Sequence, residues 1–98
     1  MYSIKLLPEF ASWLGGLKDR TTVQRLNTRL RKAMLGSLGD VKPIGDGLYE
    51  MREHFGPGWR MYYVQRGSVL IIMLGGGDKS TQTADITKAA KRAAALEE

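Results

Sequence analysis

LYEMREHFGPGWRMYYVQRGSVLIIMLGGGDKS, residues 48–80, is the stretch whose reading decides the fold. Two strand-like runs flank Gly56-Pro57-Gly58, and a third, Ser68 to Leu74, is almost wholly apolar. Short β-rich runs separated by turn residues read as a β-meander. From Leu48, Glu50, Arg52 and His54 point one way and Tyr49, Met51 and Phe55 the other, with Glu53 a charged exception near the strand end. The next run, Trp59 to Gln65, puts Arg60, Tyr62 and Val64 on one face and Trp59, Met61 and Tyr63 on the other. If the Gly-Pro-Gly turn pairs 54 with 60 and 52 with 62, then Arg52, His54, Arg60 and Tyr62 share a face, a grouping that a one-residue slip destroys. Arg66-Gly67-Ser68 makes the next turn, Val69 to Leu74 reads as a central strand buried on both faces, and Gly75-Gly76-Gly77-Asp78-Lys79-Ser80 reads as a sharply turning exit to a helix.

Upstream, Tyr2 to Leu7 is rich in strand formers and stops before Pro8, which suits a helix first turn because its missing N–H would be unpaired there. Phe10, Trp13, Leu14 and Leu17 recur at helical spacing until Gly15-Gly16 loosens the turn. A second helix starts near residue 20, with Asp19 as N-cap or Thr21-x-x-Gln24 as a capping box, and ends about Gly36. Its stripe is Val23, Leu26, Leu30, Ala33 and Met34, with Arg25, Arg29 and Lys32 on the opposite side. The segment from Gly39 through Pro43 to Gly47 is turn chemistry. Ile86, Ala89, Ala90, Ala93 and Leu96 outline a closing helix that frays at its Leu-Glu-Glu end. The expected architecture is α+β: an N-terminal strand, a helical hairpin on an antiparallel-rich sheet of about four strands, and a C-terminal helix. All 98 residues fit one domain, with a radius of gyration of about 13 Å.

With no cysteine and one histidine, the common zinc ligand sets are out of supply, and the ten carboxylates show no clustered metal spacing. No GxSxG elbow and no P-loop spacing occur, so no metal and no cofactor is expected. No segment approaches the roughly 18 apolar residues of a membrane span, and no secretory leader is evident, which places the expected protein in the cytoplasm, away from membranes. The net charge is +5, and Arg20, Arg25, Arg29, Arg31 and Lys32 follow one another with no acid between them. Such a block favours phosphates or an acidic protein, and equally describes a solvated helix face.

The remaining chemistry is cationic and aromatic. Arg52 and Arg60 can hold a phosphate through planar N–H forks, and Lys79 supplies a mobile point charge. Tyr62, Tyr63 and Trp59 offer faces for base stacking, although Trp59 and Tyr63 sit at core parity. RNA cleavage needs no metal when a chain can activate the 2′-OH, stabilise the phosphate and protonate the leaving 5′-oxygen. Cations supply the second and third tasks. For the base, His54 and Glu50 are the choices, and Glu50 can equally be the ionic partner of Arg52.

The element order, together with Leu48-Tyr-Glu-Met-Arg52, Gly56-Pro-Gly-Trp-Arg-Met-Tyr-Tyr63 and Leu74-Gly-Gly-Gly-Asp-Lys-Ser80, resembles the RelE/ParE toxin superfamily and, within it, the HigB-like addiction-module killer branch. Asp85-Ile86 matches the pair that opens the last helix there. The resemblance implies a toxin of a type II toxin–antitoxin pair, neutralised by a cognate, commonly helix-turn-helix antitoxin through which it meets DNA indirectly. It implies mRNA cleavage on the ribosome, leaving 2′,3′-cyclic phosphate and 5′-hydroxyl ends, and places Arg60 at the phosphate-binding arginine, with Arg52 and Lys79 at further basic positions. Arg25, Arg29 and Lys32 would then grip ribosomal RNA while the meander, with Tyr62, holds the message. The chain departs from the pattern at Glu50, where some relatives have Lys, at His54, which lacks a superfamily-wide counterpart, and in lacking a C-terminal Tyr. The ParE side of the superfamily inhibits DNA gyrase instead, and an inert member is the remaining alternative.

Overall fold

A computed structural model describes residues 1–96. The chain runs β1 (Ser3–Leu6), α1 (Pro8–Gly15), α2 (Arg20–Met34), β2 (Val41–Gly45), β3 (Leu48–Arg52), β4 (Trp59–Arg66), β5 (Leu70–Asp78), one 3₁₀ turn (Lys79–Thr81) and α3 (Gln82–Ala94). The α+β architecture is as expected, and the sheet has five strands rather than about four, in the order β1-β5-β4-β3-β2. The extra strand is β2, whose Val41, Lys42 and Pro43 pair with Met51, Glu50 and Tyr49. Proline is tolerated there because β2 is an edge strand, where one side of the backbone has no ladder to complete. Asp46-Gly47 is the turn of the β2–β3 hairpin, both residues having positive φ.

β1 pairs parallel to β5, and the other pairings are antiparallel. The sheet therefore carries cover on both faces. Phe10 and Leu14 of α1 with Leu26, Leu30 and Ala33 of α2 pack against Met51, Met61, Tyr63, Ile71 and Met73. On the other face Ala89 of α3 closes over Leu48, Tyr62, Val64, Ile72 and Leu74. The radius of gyration is 12.4 Å, close to expectation.

Pro8 opens α1, and Asp19 occupies the α2 N-cap position. The Asp19 carboxylate accepts the Thr22 hydroxyl at 2.7 Å, and no side-chain cap bond to the backbone forms. Met34, expected in the buried stripe, is 46% exposed. The triple glycine is a correction as well: Gly75, Gly76 and Gly77 continue β5, pairing with Tyr62, Met61 and Arg60, and are no exit turn. Close approach explains them. A Cβ at Gly76 would strike the Trp13 ring, one at Gly75 would lie 2.6 Å from Arg92 Nη1, and one at Gly77 would strike the Asp85 carboxylate. Helices thus press on this strand segment from both sides. The expected fraying at the C-terminus falls on Glu97 and Glu98, outside the described residues.

Candidate functional site

The site lies on the α3 face of the meander, toward the β2 edge. Glu50 pairs with Tyr62 and Arg52 with Arg60, a register two residues short of the expected one. A two-residue difference conserves parity, so Glu50, Arg52, Arg60 and Tyr62 still share a face. His54 drops off the strand end into the loop before β4.

Arg60 is 5% exposed and anchored by its own strand end. Its Nη1 donates to the carbonyls of Glu53 at 3.1 Å and Trp59 at 2.9 Å. Its Nε faces Glu50 Oε1 at 3.5 Å, an ion pair without hydrogen-bond geometry. Glu50, 1% exposed, is therefore the partner of Arg60 and not of Arg52. Its other oxygen, Oε2, accepts from Gln82 Nε2 at 2.7 Å. Burial, the Arg60 ion pair and the Gln82 hydrogen bond leave Glu50 inaccessible to a substrate hydroxyl, which removes it as a base in this conformation.

Arg52 meets Asp40 instead: Nη2 lies 3.3 Å from Oδ1, while His54 Nε2 lies 2.6 Å from Oδ2. The His54 bond first, and the Arg52 bond second, hold the Asp40 carboxyl below its ordinary range. His54 is exposed. Lys79 stands exposed in the 3₁₀ turn, where the Asp78 carboxylate accepts the Ser80 N–H at 2.8 Å and fixes the turn. The lysine stem lies directly over Gly58, where a Cβ would lie under 3 Å from it and 3.6 Å from Arg60 Nη1. A glycine at position 58 thus lets Lys79 and Arg60 converge.

Tyr62 offers no stacking face: it is fully buried beneath α3. Burial first, then the Glu50 and Asp85 charges, push its phenol well above the usual range. Tyr63 is buried on the opposite face, stacked on Tyr49 with ring centroids 5.3 Å apart, and burial pushes its phenol up to about 12. Trp59 is half-buried, with its ring edge to Trp13. Four buried polar atoms in the described residues lack a hydrogen-bond partner: Arg52 Nε, Arg60 Nε, Tyr62 Oη and Trp59 Nε1. Three of these belong to the shared face, where Arg60 Nε has the Glu50 carboxylate as its ionic neighbour.

The α2 cations separate into different environments. Arg29 is 9% exposed and acts as a brace: Nε donates to Leu38 O at 3.0 Å, Nη2 to Asp40 O at 2.7 Å and Nη1 to Arg52 O at 2.9 Å and to the Glu53 carboxylate. It fixes the backbone beneath Asp40 and Arg52 and is not available to grip RNA. Arg25 lies over the Phe55 ring, 3.7 Å from its centroid, and Lys32 is exposed. Both line a shallow groove of about 390 Å³ with Thr21, Gln24, Thr28, Glu53 and the braced Arg29.

A family model described as phage-derived protein Gp49-like matches residues 15–96. The chain belongs to the Gp49-like family. This is a family of toxin–antitoxin type, related to RelE-like toxins. An uncharacterized protein of Haemophilus influenzae is 42% identical over 86 residues, covering 88% of this chain and 87% of the relative. The matched Gp49-like region begins after β1 and contains every residue of the cation face. Among the described residues no helix is long and apolar enough to cross a membrane, and no group of three His, Cys, Asp or Glu is placed to share a metal ion. Asp40 and Gln82 are the site residues that sequence reasoning missed. Gln82 lies two residues beyond the Asp78-Lys79-Ser80 run, the one local signal that pointed toward it.

Proposed function

We propose that this protein is the HigB-like toxin of a type II toxin–antitoxin pair, acting in the cytoplasm as a ribosome-dependent mRNA endonuclease. The observation that carries the reading is the convergence of Arg52, Arg60 and Lys79 on one face. Paired guanidiniums with a lysine beside them suit the geometry and charge of a phosphate.

In this reading Arg60 and Arg52 hold the non-bridging oxygens of the scissile phosphate and offset the charge that grows there. His54, oriented by Asp40 through Nε2, keeps Nδ1 for the 2′-hydroxyl. The 2′-oxygen attacks phosphorus, the bond to the 5′-oxygen breaks, and Lys79 donates a proton to the leaving oxygen. The products are a 2′,3′-cyclic phosphate and a 5′-hydroxyl, with no water consumed and no metal required. Arg25 and Lys32 line a basic groove suited to ribosomal RNA, a role that Arg29 does not share. A cognate helix-turn-helix antitoxin neutralises the protein.

The test is expression from a tightly controlled promoter with mapping of mRNA 5′ ends, against Lys79→Ala, His54→Ala and Arg60→Lys. Growth arrest with cuts on translated messages, abolished in these variants, is the expected result. Arrest with DNA-damage signalling and intact mRNA would overturn it in favour of gyrase inhibition, and no arrest at all would identify an inert member.

A further inference from the structure

We infer that Gln82 is a positioning residue, holding Arg60 through Glu50 and fixing the spacing between the Arg60 guanidinium and Lys79. The inference rests on reading the shared face as a phosphate cradle. It begins from an imbalance at Glu50. A carboxylate 1% exposed needs its lone pairs satisfied, and the Arg60 contact at 3.5 Å supplies charge without a hydrogen bond. The hydrogen bond comes from the other direction, from Gln82 Nε2 at 2.7 Å across 32 positions of sequence.

Gln82 is also the first residue of α3, directly after the turn Lys79–Thr81. The same amide therefore ties two things together. It orients the Glu50 carboxylate that faces Arg60 Nε, and it pins to β3 the helix start that carries Lys79. Asp78 stiffens that turn by accepting the Ser80 N–H, and the Thr81 hydroxyl donates to Asp85 at 2.6 Å. Lys79 thus sits on a short turn held at one end by Asp78, which pairs with Trp59 at the end of β5, and at the other by the Gln82–Glu50 bond. Its stem then reaches over Gly58 to the Arg60 guanidinium.

The charged and titratable groups around Glu50 come from every neighbouring element. Lys42 of β2 is its register partner, Arg52 lies two residues on in β3, Arg60 and Tyr62 face it from β4, and Lys79 and Asp85 flank Gln82. In this setting a neutral donor at position 82 serves where a second carboxylate would repel Glu50. That difference separates a positioning role from simple packing.

The experiment uses the whole chain labelled with ¹⁵N-arginine. Solvent exchange of the Arg60 Nε–H is followed by NMR, and inorganic phosphate is titrated against the same signal at pH 5 and pH 8, with thermal melts confirming the fold. Gln82→Ala is expected to speed Arg60 Nε–H exchange and to weaken phosphate binding, each by roughly tenfold, the scale of one hydrogen bond to a charged group. Gln82→Glu should lie closer to the wild type at pH 5 than at pH 8, because only a protonated carboxyl at position 82 can donate to Glu50. Both variants within twofold of the wild type at both pH values would overturn the inference, as would a Gln82→Glu profile without pH dependence. If Arg60 responds to Gln82→Ala but the wild-type chain takes up no phosphate, positioning of Arg60 stands and the phosphate-cradle reading fails.

Discussion

Arg60→Ala tests the site and the fold at once. The guanidinium it removes is 5% exposed, and it leaves Glu50, 1% exposed, without an ionic partner at 3.5 Å. At an effective dielectric of about 20, two unit charges at that separation attract by roughly 5 kcal/mol. Much of that attraction only offsets the cost of taking both groups out of water. Deleting one member costs about 3–5 kcal/mol, because the survivor remains buried and uncompensated. The carbonyls of Glu53 and Trp59 also lose their donor. A domain of this size has about 5–15 kcal/mol of stability in all, so Arg60→Ala should unfold at markedly lower urea than the wild type. The double variant Glu50→Gln/Arg60→Met removes both charges and keeps an acceptor for Gln82. It should be more stable than Arg60→Ala by about 2 kcal/mol or more. Urea unfolding monitored by tryptophan fluorescence measures both, compared through the midpoint at constant slope. Arg60→Ala within about 1 kcal/mol of the wild type, or a double variant no better than the single, would refute a buried, coupled pair.

Two further variants probe the neighbourhood. Gly76→Ala drives a methyl group into the Trp13 ring, and overpacking of this kind costs about 1–3 kcal/mol; a lowered melting temperature, partly restored by Trp13→Leu, is the expected outcome. The Asp40 carboxyl is held below its ordinary value of 3.8 by His54 and Arg52, so its contribution to stability is present above that value and lost as pH falls through the depressed one. Asp40→Asn should accordingly flatten the acid limb of the urea midpoint below about pH 4.

Parity carried more of the site into the sequence reading than register did. The expected pairing of 52 with 62 was two residues away from the observed pairing of Arg52 with Arg60, yet both have the same parity, so the face came out right. Parity gives the side of a sheet and not the depth beneath what covers it. Tyr62 shares the face with Arg60 and is fully buried, because α3 closes over one end of that face and leaves the other open. Arg29 was legible and was misread. Thr22, Leu26, Arg29 and Ala33 follow the 4-3-4 spacing of a helix seam, and all four are buried. Counting Arg25, Arg29 and Lys32 as one stripe placed charge type above position. β2 was hidden by Pro43 and by glycines that serve a hairpin as readily as a loop, and Asp40 and Gln82 gained their roles only through partners 12 and 32 positions away.

The site's cations divide by what holds them. Arg52 and Arg60 face each other across adjacent strands, an arrangement of like charges that costs energy by itself. Each is stabilised on one flank, Arg52 by Asp40 and Arg60 by Glu50, while Arg29 clamps the backbone under the first pair and Gln82 the carboxylate of the second. In the proposed reading a phosphate would meet two guanidiniums already held by these partners, with little reorganisation as negative charge builds. The same burial makes these arginines part of the fold, so losses of activity at Arg60 carry a stability component. Lys79 and His54 are exposed and carry little of the core. In the proposed reading, variants at those two positions separate proton transfer from folding, and a chain that stays fully folded yet toxic without either would place the chemistry elsewhere.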